Sequence, residues 1–282
     1  MNRRFIIYTV FVFLGFVFFS CNHTNKRNAI SSVATHNAVA GKEDSVAKQP
    51  MNSRAQIYAK GEVPVLCYHR ISDGPKSDYR VSQATFTSHM KILADSGYHS
   101  ISPAQLYDYL VYNKTLPVKP VMITFDDSRV EHALIAAPVM EKYGFRGAFF
   151  IMTITYNRKN YMTKEQIVQL SKAGHTVGLH SWDHTMVTKY KEPADWQKQV
   201  VEPKKKLEEI VGRAVEYWAY PNGVYNEKGA EGLSKYFKLS FSLFSKRDSI
   251  QPLQTVRRII VPEMSPQSLL KSMRRAFKLK KA

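Results

Sequence analysis

The segment Val121-Met-Ile-Thr-Phe-Asp-Asp127 places two carboxylates directly after a short apolar run. An apolar run of this length is typical of a buried strand. Isolated charges are costly to bury, so Asp126 and Asp127 need a cation, hydrogen bonds or solvent at the end of that strand. The pair could also cap the following helix, because a carboxylate accepts hydrogen bonds from free helical N–H groups. By itself the pair leaves a helix cap and a functional site equally open.

Strands and helices alternate on both sides of this segment. Short apolar runs predict strands over residues 63–68, 121–125, 148–152 and 177–179. Apolar residues at helical spacing predict helices over residues 85–96, 103–111, 133–143, 163–172 and 194–211. This alternation predicts an α/β fold with a parallel sheet or barrel, in which functional residues gather at the C-terminal ends of the strands.

A second polar cluster, His180-Ser-Trp-Asp-His184, follows another predicted strand. Two histidines four residues apart share one face of a helix, and a short loop can also bring them to one metal ion. Such a pair of histidines is common by chance, so it indicates a metal site only in combination with the aspartates elsewhere in the chain. Two histidines and one carboxylate, with open positions for water, form the ligand set of a hydrolytic zinc or a similar divalent ion. With only two cysteines in the chain, a multi-thiolate zinc site is excluded.

Thr-Phe-Asp-Asp followed by His-Ser-x-x-His resembles the polysaccharide deacetylases of the NodB-homology type, carbohydrate esterase family four. Residues 142–151, 173–180 and 218–226 resemble further motifs of the family, in the same order. The resemblance extends from about residue 120 to the C-terminus. It implies a distorted (β/α) barrel.

The resemblance also implies roles for individual residues. Asp127, His180 and His184 are expected to be metal ligands, and Asp126 the general base that takes a proton from a metal-bound water. Zinc is the expected ion, although cobalt or nickel would fit the same ligands. Ser128 stands where the family usually has glycine, a substitution that is strained if this position has a positive φ.

The third motif implies residues that contact the substrate. The backbone N–H of Asn222 is expected to bind the oxyanion of the tetrahedral intermediate. Ala219 stands where many members have an arginine that orients the base, and Arg257 or Arg258 could supply that guanidinium. Aromatic rings beside the motifs could stack on sugar faces or serve only in packing: Tyr220, Trp182 and Tyr225.

The family commonly ends in Leu-x-His, whose histidine is the general acid, whereas residues 255–263 contain no histidine. Another apolar strand, Val65-Leu-Cys-Tyr-His69, ends in histidine. The first and last strands of a closed barrel are neighbours, so His69 could occupy the place of the missing acid. We therefore expect His69 to protonate the leaving amine. A structural histidine under the barrel rim is the alternative.

The N-terminal segment has the pattern of a targeting signal. Arg3 and Arg4 precede an apolar run over residues 5–19, and Ser20-Cys21 follows at once. This predicts a lipoprotein signal peptide over residues 1–20 with lipidation at Cys21, or alternatively an uncleaved anchor. We expect a flexible tether over residues 21–60 and the barrel over residues 61–282, with its NodB-like core from about residue 118. Either reading places the enzyme in the cell envelope, on the periplasmic side or at the outer membrane.

The chain is strongly basic, with 41 Lys and Arg against 23 Asp and Glu and a formal net charge of +18. Together with the predicted anchor, this charge favours a position near anionic phospholipid or an anionic envelope polymer, and thus at the membrane, over binding to nucleic acid. The expected function is removal of N-acetyl groups from an amino-sugar polymer by a monomer. Two alternatives stay open: an O-acetyl esterase of the xylan type and a non-catalytic carbohydrate-binding lipoprotein.

Overall fold

The structure is a computed structural model that describes residues 50–279. These residues belong to one compact unit. Cys21 and the predicted signal peptide lie outside the described residues. None of the helices within residues 50–279 is long and apolar enough to cross a membrane.

The described chain alternates short strands with helices. The strands are β1 (Val65–Tyr68), β2 (Arg70–Ile71), β3 (Arg80–Val81), β4 (His99–Ser100), β5 (Pro120–Phe125), β6 (Ala148–Ile151), β7 (Thr176–Leu179), β8 (Tyr217–Ala219), β9 (Leu239–Ser242), β10 (Val256–Arg257) and β11 (Ile259–Ile260). The α-helices are α1 (Arg54–Ala59), α2 (Gln83–Asp95), α3 (Pro103–Tyr112), α4 (Ala137–Lys142), α5 (Lys164–Lys172), α6 (Pro193–Trp196), α7 (Glu202–Val211), α8 (Glu227–Ser234) and α9 (Pro266–Phe277). Two π-helical turns, His132–Ala136 and Gln197–Val201, lead into α4 and α7.

The main sheet is parallel throughout, with the order β10-β9-β8-β7-β6-β5-β1-β11 and β4 paired to the start of β5. The two edge strands are consecutive in the chain, separated by the single residue Arg258. One segment therefore pairs with β9 on one side and with β1 on the other, which nearly closes the sheet into a barrel. This confirms the predicted (β/α) barrel.

Alternate strand residues face two hydrophobic clusters. Leu66, Ile123 and Phe149 face a cluster with the outer helices. Val65, Met122 and Phe150 face a second cluster, which α1 and α3 complete through Ile57, Leu106 and Leu110. Because these strand residues lie one position apart, the period-two alternation puts one set outside the barrel and the other inside.

The folded unit begins before the predicted boundary at residue 61. Ser53 and Gln56 form a capping box at the start of α1, which satisfies N–H groups that would otherwise be free. Ile57 is 4% exposed, and the Arg247 guanidinium donates hydrogen bonds to the carbonyls of Ile57, Tyr58 and Lys60. The prediction that the flexible tether runs to residue 60 is therefore wrong for residues 53–60, which pack on the barrel.

Candidate active site

The parallel sheet brings the sequence motifs to one edge. His69 follows β1, Asp126 and Asp127 follow β5, and His180 follows β7. The register pairs Tyr68 with Phe125, so His69 and Asp126 leave neighbouring strands side by side. The C-terminal ends of parallel strands meet at the same end of a barrel, which is why residues more than a hundred positions apart converge here.

Asp127, His180 and His184 form a compact group. The Asp127 Oδ1 atom lies 3.6 Å from Nε2 of His180 and 3.4 Å from Nε2 of His184. The three potential ligand atoms all lie within 4.8 Å of one another. Two imidazole nitrogens and one carboxylate oxygen at this spacing match the ligand set of a divalent ion with open positions.

Hydrogen bonding leaves these ligand atoms available. The Nδ1–H group of His180 donates to the carbonyl of Ala219 at 2.8 Å, which fixes the tautomer in which Nε2 carries the lone pair. Oδ1 of Asp127 is buried and accepts no hydrogen bond from any residue in the range 50–279. A buried carboxylate oxygen without a donor is costly, so a cation between these three side chains would satisfy it. The residues present therefore fit a divalent metal.

The backbone turns sharply at this group. Asp127, Ser128 and His184 have φ values of 74°, 57° and 72°, in the left-handed region that is uncommon for residues other than glycine. Ser128 therefore occupies a strained position, and its hydroxyl offsets part of the cost by accepting the buried N–H of Met152 at 2.7 Å. Glycine at this position would avoid the strain but would leave that N–H without its partner.

Asp126 is held by an arginine that lies 132 positions later in the sequence. Arg258 donates from Nη1 to Oδ1 and from Nη2 to Oδ2, both at 2.7 Å, and both side chains are buried. The same guanidinium donates to Oγ1 of Thr124 and lies over the Phe150 ring. Arg258 thus supplies the guanidinium beside Asp126, whereas Arg257 pairs with Glu62 outside this site.

The charges at this edge shift the pKa values of the acidic groups. Burial alone would raise the pKa of Asp126, but the charge and hydrogen bonds of Arg258, together with the nearby His180 and His69, outweigh burial and hold that pKa well below its usual range. Burial likewise opposes the ionised form of Asp127, and the neighbouring imidazole of His180, with Nε2 3.6 Å from Oδ1, outweighs it and lowers the pKa overall. Both carboxylates are therefore ionised at neutral pH, ready to bind a cation or accept a proton.

His69 lies beside Asp126, with Nε2 4.0 Å from Oδ2 of the carboxylate. Its ring meets Tyr79 edge to face, and its Nδ1 lies 3.9 Å from Sγ of Cys67. The buried ring of His132 hydrogen-bonds through Nε2 to the backbone carbonyl of His69. His132 therefore fixes the backbone that carries His69.

The residues expected to contact substrate differ in their exposure. Asn222 is exposed in the turn after β8 with a φ of 57°, and Trp182 is half-buried with the Lys198 ammonium 4.5 Å from its ring centre. Tyr225 is half-buried and its ring lies 4.8 Å from that of Phe244. Tyr220 is fully buried and its hydroxyl donates to the carbonyl of Gln254. The Tyr220 ring packs in the hydrophobic cluster with the outer helices and has no exposed surface, which does not support the expected sugar contact.

Comparisons with known proteins agree with this geometry. Residues 113–236 match the family model described as polysaccharide deacetylase, a range that includes the aspartates after β5 and both histidines but neither His69 nor Arg258. YxkH of Bacillus subtilis (strain 168), named as a polysaccharide deacetylase, is 30% identical over 174 residues, which are 62% of this chain and 61% of YxkH. The match thus spans less than two thirds of that relative.

Two further similarities are to a curated N-deacetylase and to a solved structure. The poly-beta-1,6-N-acetyl-D-glucosamine N-deacetylase of Staphylococcus aureus (strain N315) is 25% identical over 219 residues, covering 67% of this chain and 74% of its own. The structure of IcaB from Ammonifex degensii superposes with a TM-score of 0.65 at 28% identity, over 77% of this chain and 98% of that one. On this family match and the shared barrel, the segment over residues 113–236 belongs to a polysaccharide deacetylase domain of the NodB-homology type.

Proposed function

We propose that this protein is a divalent-metal-dependent deacetylase that hydrolyses N-acetyl groups of an amino-sugar polymer. The observation that carries the proposal is the group of Asp127, His180 and His184 beside an aspartate held by Arg258. The similarity to the S. aureus N-deacetylase supports an N-acetylated amino sugar as the substrate class.

Asp127, His180 and His184 would hold the ion, and zinc is the first choice for two imidazoles and one carboxylate, ahead of cobalt or nickel. When bound, such an ion lowers the pKa of water and polarises an acetyl carbonyl. The Ala219 carbonyl keeps the imidazole of His180 in the ligating tautomer. Asp127 contributes Oδ1, the buried oxygen that accepts no hydrogen bond within residues 50–279.

Asp126 is the proposed proton acceptor. Arg258 keeps its carboxylate ionised and locks its orientation with two parallel hydrogen bonds. Oδ2 also accepts a hydrogen bond from the Cys67 thiol at 3.5 Å, whereas Oδ1 retains a second lone pair that can receive a proton from an attacking water. A positioned base of this kind contributes typically about 100- to 10,000-fold to the rate.

His69 is the proposed proton donor to the leaving amine. It follows β1, which lies between β5 and β11 in the sheet, and its Nε2 lies 4.0 Å from Oδ2 of Asp126. A deacetylase that releases an amine needs such a donor, whereas an O-acetyl esterase does not. The exposed backbone turn at Asn222 is the proposed oxyanion contact, and Trp182 and Tyr225 are the proposed sugar contacts.

The cellular placement is part of the proposal. The apolar run over residues 5–19 followed by Ser20-Cys21 supports a lipid anchor at Cys21 and a location in the cell envelope. A tethered hydrolase would act on a polymer at the membrane surface.

The test measures acetate release by residues 48–282 from poly-β-1,6-N-acetylglucosamine and from acetylated xylan. Chelator should abolish release from the amino-sugar polymer, and zinc, cobalt or nickel should restore it. The isosteric variant Asp127→Asn should lose activity, while Asp73→Asn, a matched change at an exposed loop residue, should keep it. Release that survives complete metal removal would reject the mechanism, and release from xylan alone would reject the substrate class.

A further inference from the structure

The end of the barrel opposite the candidate active site is basic. Because the strands of the main sheet are parallel and the site residues follow strand ends, the segments that precede the strands lie at the other end. Most helices end there, immediately before the next strand begins. Exposed basic side chains occupy these helix ends and the loops after them: Lys114, Lys142, Lys172, Arg213, Arg275 and Lys278.

The end of α9 belongs to this surface. Arg274 and Leu279 line a cleft of about 700 Å³ together with Lys119, and its floor includes Pro64 and Pro120, where β1 and β5 begin. The loop over residues 113–119 and the last turn of α9 are therefore neighbours at the end where strands start. Lys119 of the loop and Arg274 of α9 therefore line the same cleft.

The positive charge of this end is not neutralised locally. Three carboxylates near this end are already paired, with Asp95 2.6 Å from Lys91, Glu216 2.7 Å from Lys238 and Glu62 2.7 Å from Arg257. In the part of the chain that the structure describes, none of the six exposed basic side chains has a carboxylate within 4.0 Å. A set of unpaired cations on one face attracts a polyanionic surface.

Exposed apolar side chains lie among these charges. Val118, in the loop before β5, is 76% exposed, and Met51 is 62% exposed. Asn52 ties this part of the chain to the end of α3, since its N–H donates to the carbonyl of Val111 and its amide to that of Leu110. Apolar side chains surrounded by lysine and arginine are typical of surfaces that bind an anionic bilayer. The basic side chains contact the lipid headgroups, and the apolar side chains insert at the boundary with the acyl chains.

We propose that this basic end docks on an anionic phospholipid bilayer, so that the candidate active site faces away from the membrane. The exposed Val118 and Met51 favour a bilayer over a soluble polyanion, because a polyanion offers no apolar phase to them. The described chain also starts at this end, with Asn52 beside α3. A lipid-anchored segment before residue 50, as the sequence predicts, would reinforce the same orientation. The inference does not depend on the proposed deacetylase activity.

The experiment measures co-sedimentation of residues 48–282, the compact unit with its own core, on mixed phosphatidylglycerol and phosphatidylcholine vesicles. Each basic residue near an anionic surface strengthens partitioning about fivefold, so the triple variant Lys114→Gln, Arg275→Gln, Lys278→Gln should weaken it by about 100-fold. The matched control carries Lys76→Gln, Lys159→Gln and Lys189→Gln, three exposed lysines on segments that follow strands. It removes the same charge from the end that bears the site and should bind almost as the parent does.

The remaining outcomes decide the proposal. Val118→Ser should weaken vesicle binding even at high salt, where the charges are screened. Equal losses in the two triple variants would show a non-specific charge effect and overturn the proposal. Equal binding to pure phosphatidylcholine vesicles, or retention on soluble polyphosphate with no vesicle binding, would also overturn it. Thermal unfolding of all variants checks that each is folded.

Discussion

Replacing Arg258 with methionine tests how the site is held together. Arg258 is 3% exposed and its two hydrogen bonds to Asp126 are 2.7 Å each. Methionine has a similar reach and no charge, so the variant leaves the Asp126 carboxylate buried without its partner. Thr124 also loses a donor, although its hydroxyl keeps the bond to the Leu66 carbonyl.

The magnitude follows from the burial of the pair. Breaking a buried ion pair by removing one partner costs about 3–5 kcal/mol, because the remaining charge has no compensation. An exposed pair would cost only about 0–1 kcal/mol. Arg258 is also the single residue that joins β10 to β11. Part of the lost free energy of unfolding would therefore come from weaker closure of the barrel.

The assay is urea unfolding of residues 48–282 carrying Arg258→Met, Asp126→Asn, both changes or neither. We expect Arg258→Met to lower the free energy of unfolding by about 3–5 kcal/mol and the double variant to recover a large part of it. The coupling energy of the cycle isolates the pair from barrel closure. A loss below about 1 kcal/mol, or purely additive effects, would refute the argument that this pair is buried and coupled. The variant Arg257→Met, which breaks the half-buried pair with Glu62, is the matched control.

Four further outcomes follow from the same geometry. Ser128→Ala should lower the free energy of unfolding by about 1–3 kcal/mol, because the buried N–H of Met152 loses its acceptor while the positive φ is unchanged; an unchanged urea midpoint would show that this bond is not needed. Zinc at about 100 times its dissociation constant should stabilise the parent by about 2.7 kcal/mol in thermal unfolding. Asp127→Asn should lose most of that gain, and an equal gain in the variant would place the ion elsewhere. His69→Ala should lower kcat by about 100- to 10,000-fold while zinc binding persists, and full activity would leave His69 as a structural residue. Burial lowers the pKa of His175, so its neutral form favours the folded state and stability should fall as pH drops below about 6.5; His175→Gln should flatten that fall, and an identical pH profile would contradict it.

Much of the fold could be read from local patterns. The strand before Asp126 and the strand before His180 are short apolar runs that end in polar residues, and both lie where the sequence predicts them. Parallel strands align their ends, so the meeting of Asp127 with His180 and His184 follows from the strand pattern once the sheet is parallel. The metal role of these residues stays a prediction.

Other features had weaker signals in the sequence. Ser53 and Gln56 have the spacing of a capping box, a visible signal for α1 inside a stretch that otherwise suggests a tether. Tyr220 follows the same kind of strand end as the site residues, and only the packing of its ring against the core decides that it is buried. Local sequence does not encode which neighbours a side chain meets across the barrel.

The sequence by itself determined the alternation of strands and helices and the residues that follow the strand ends, because both depend on periodicity and on the high cost of burying charge. Only the tertiary structure decided which arginine holds Asp126. Arg257 and Arg258 are adjacent and chemically identical, and their side chains point to opposite sides of an extended chain. Because β10 pairs with β9 and β11 pairs with β1, the Arg258 side chain faces the barrel interior and binds Asp126, whereas Arg257 pairs with Glu62.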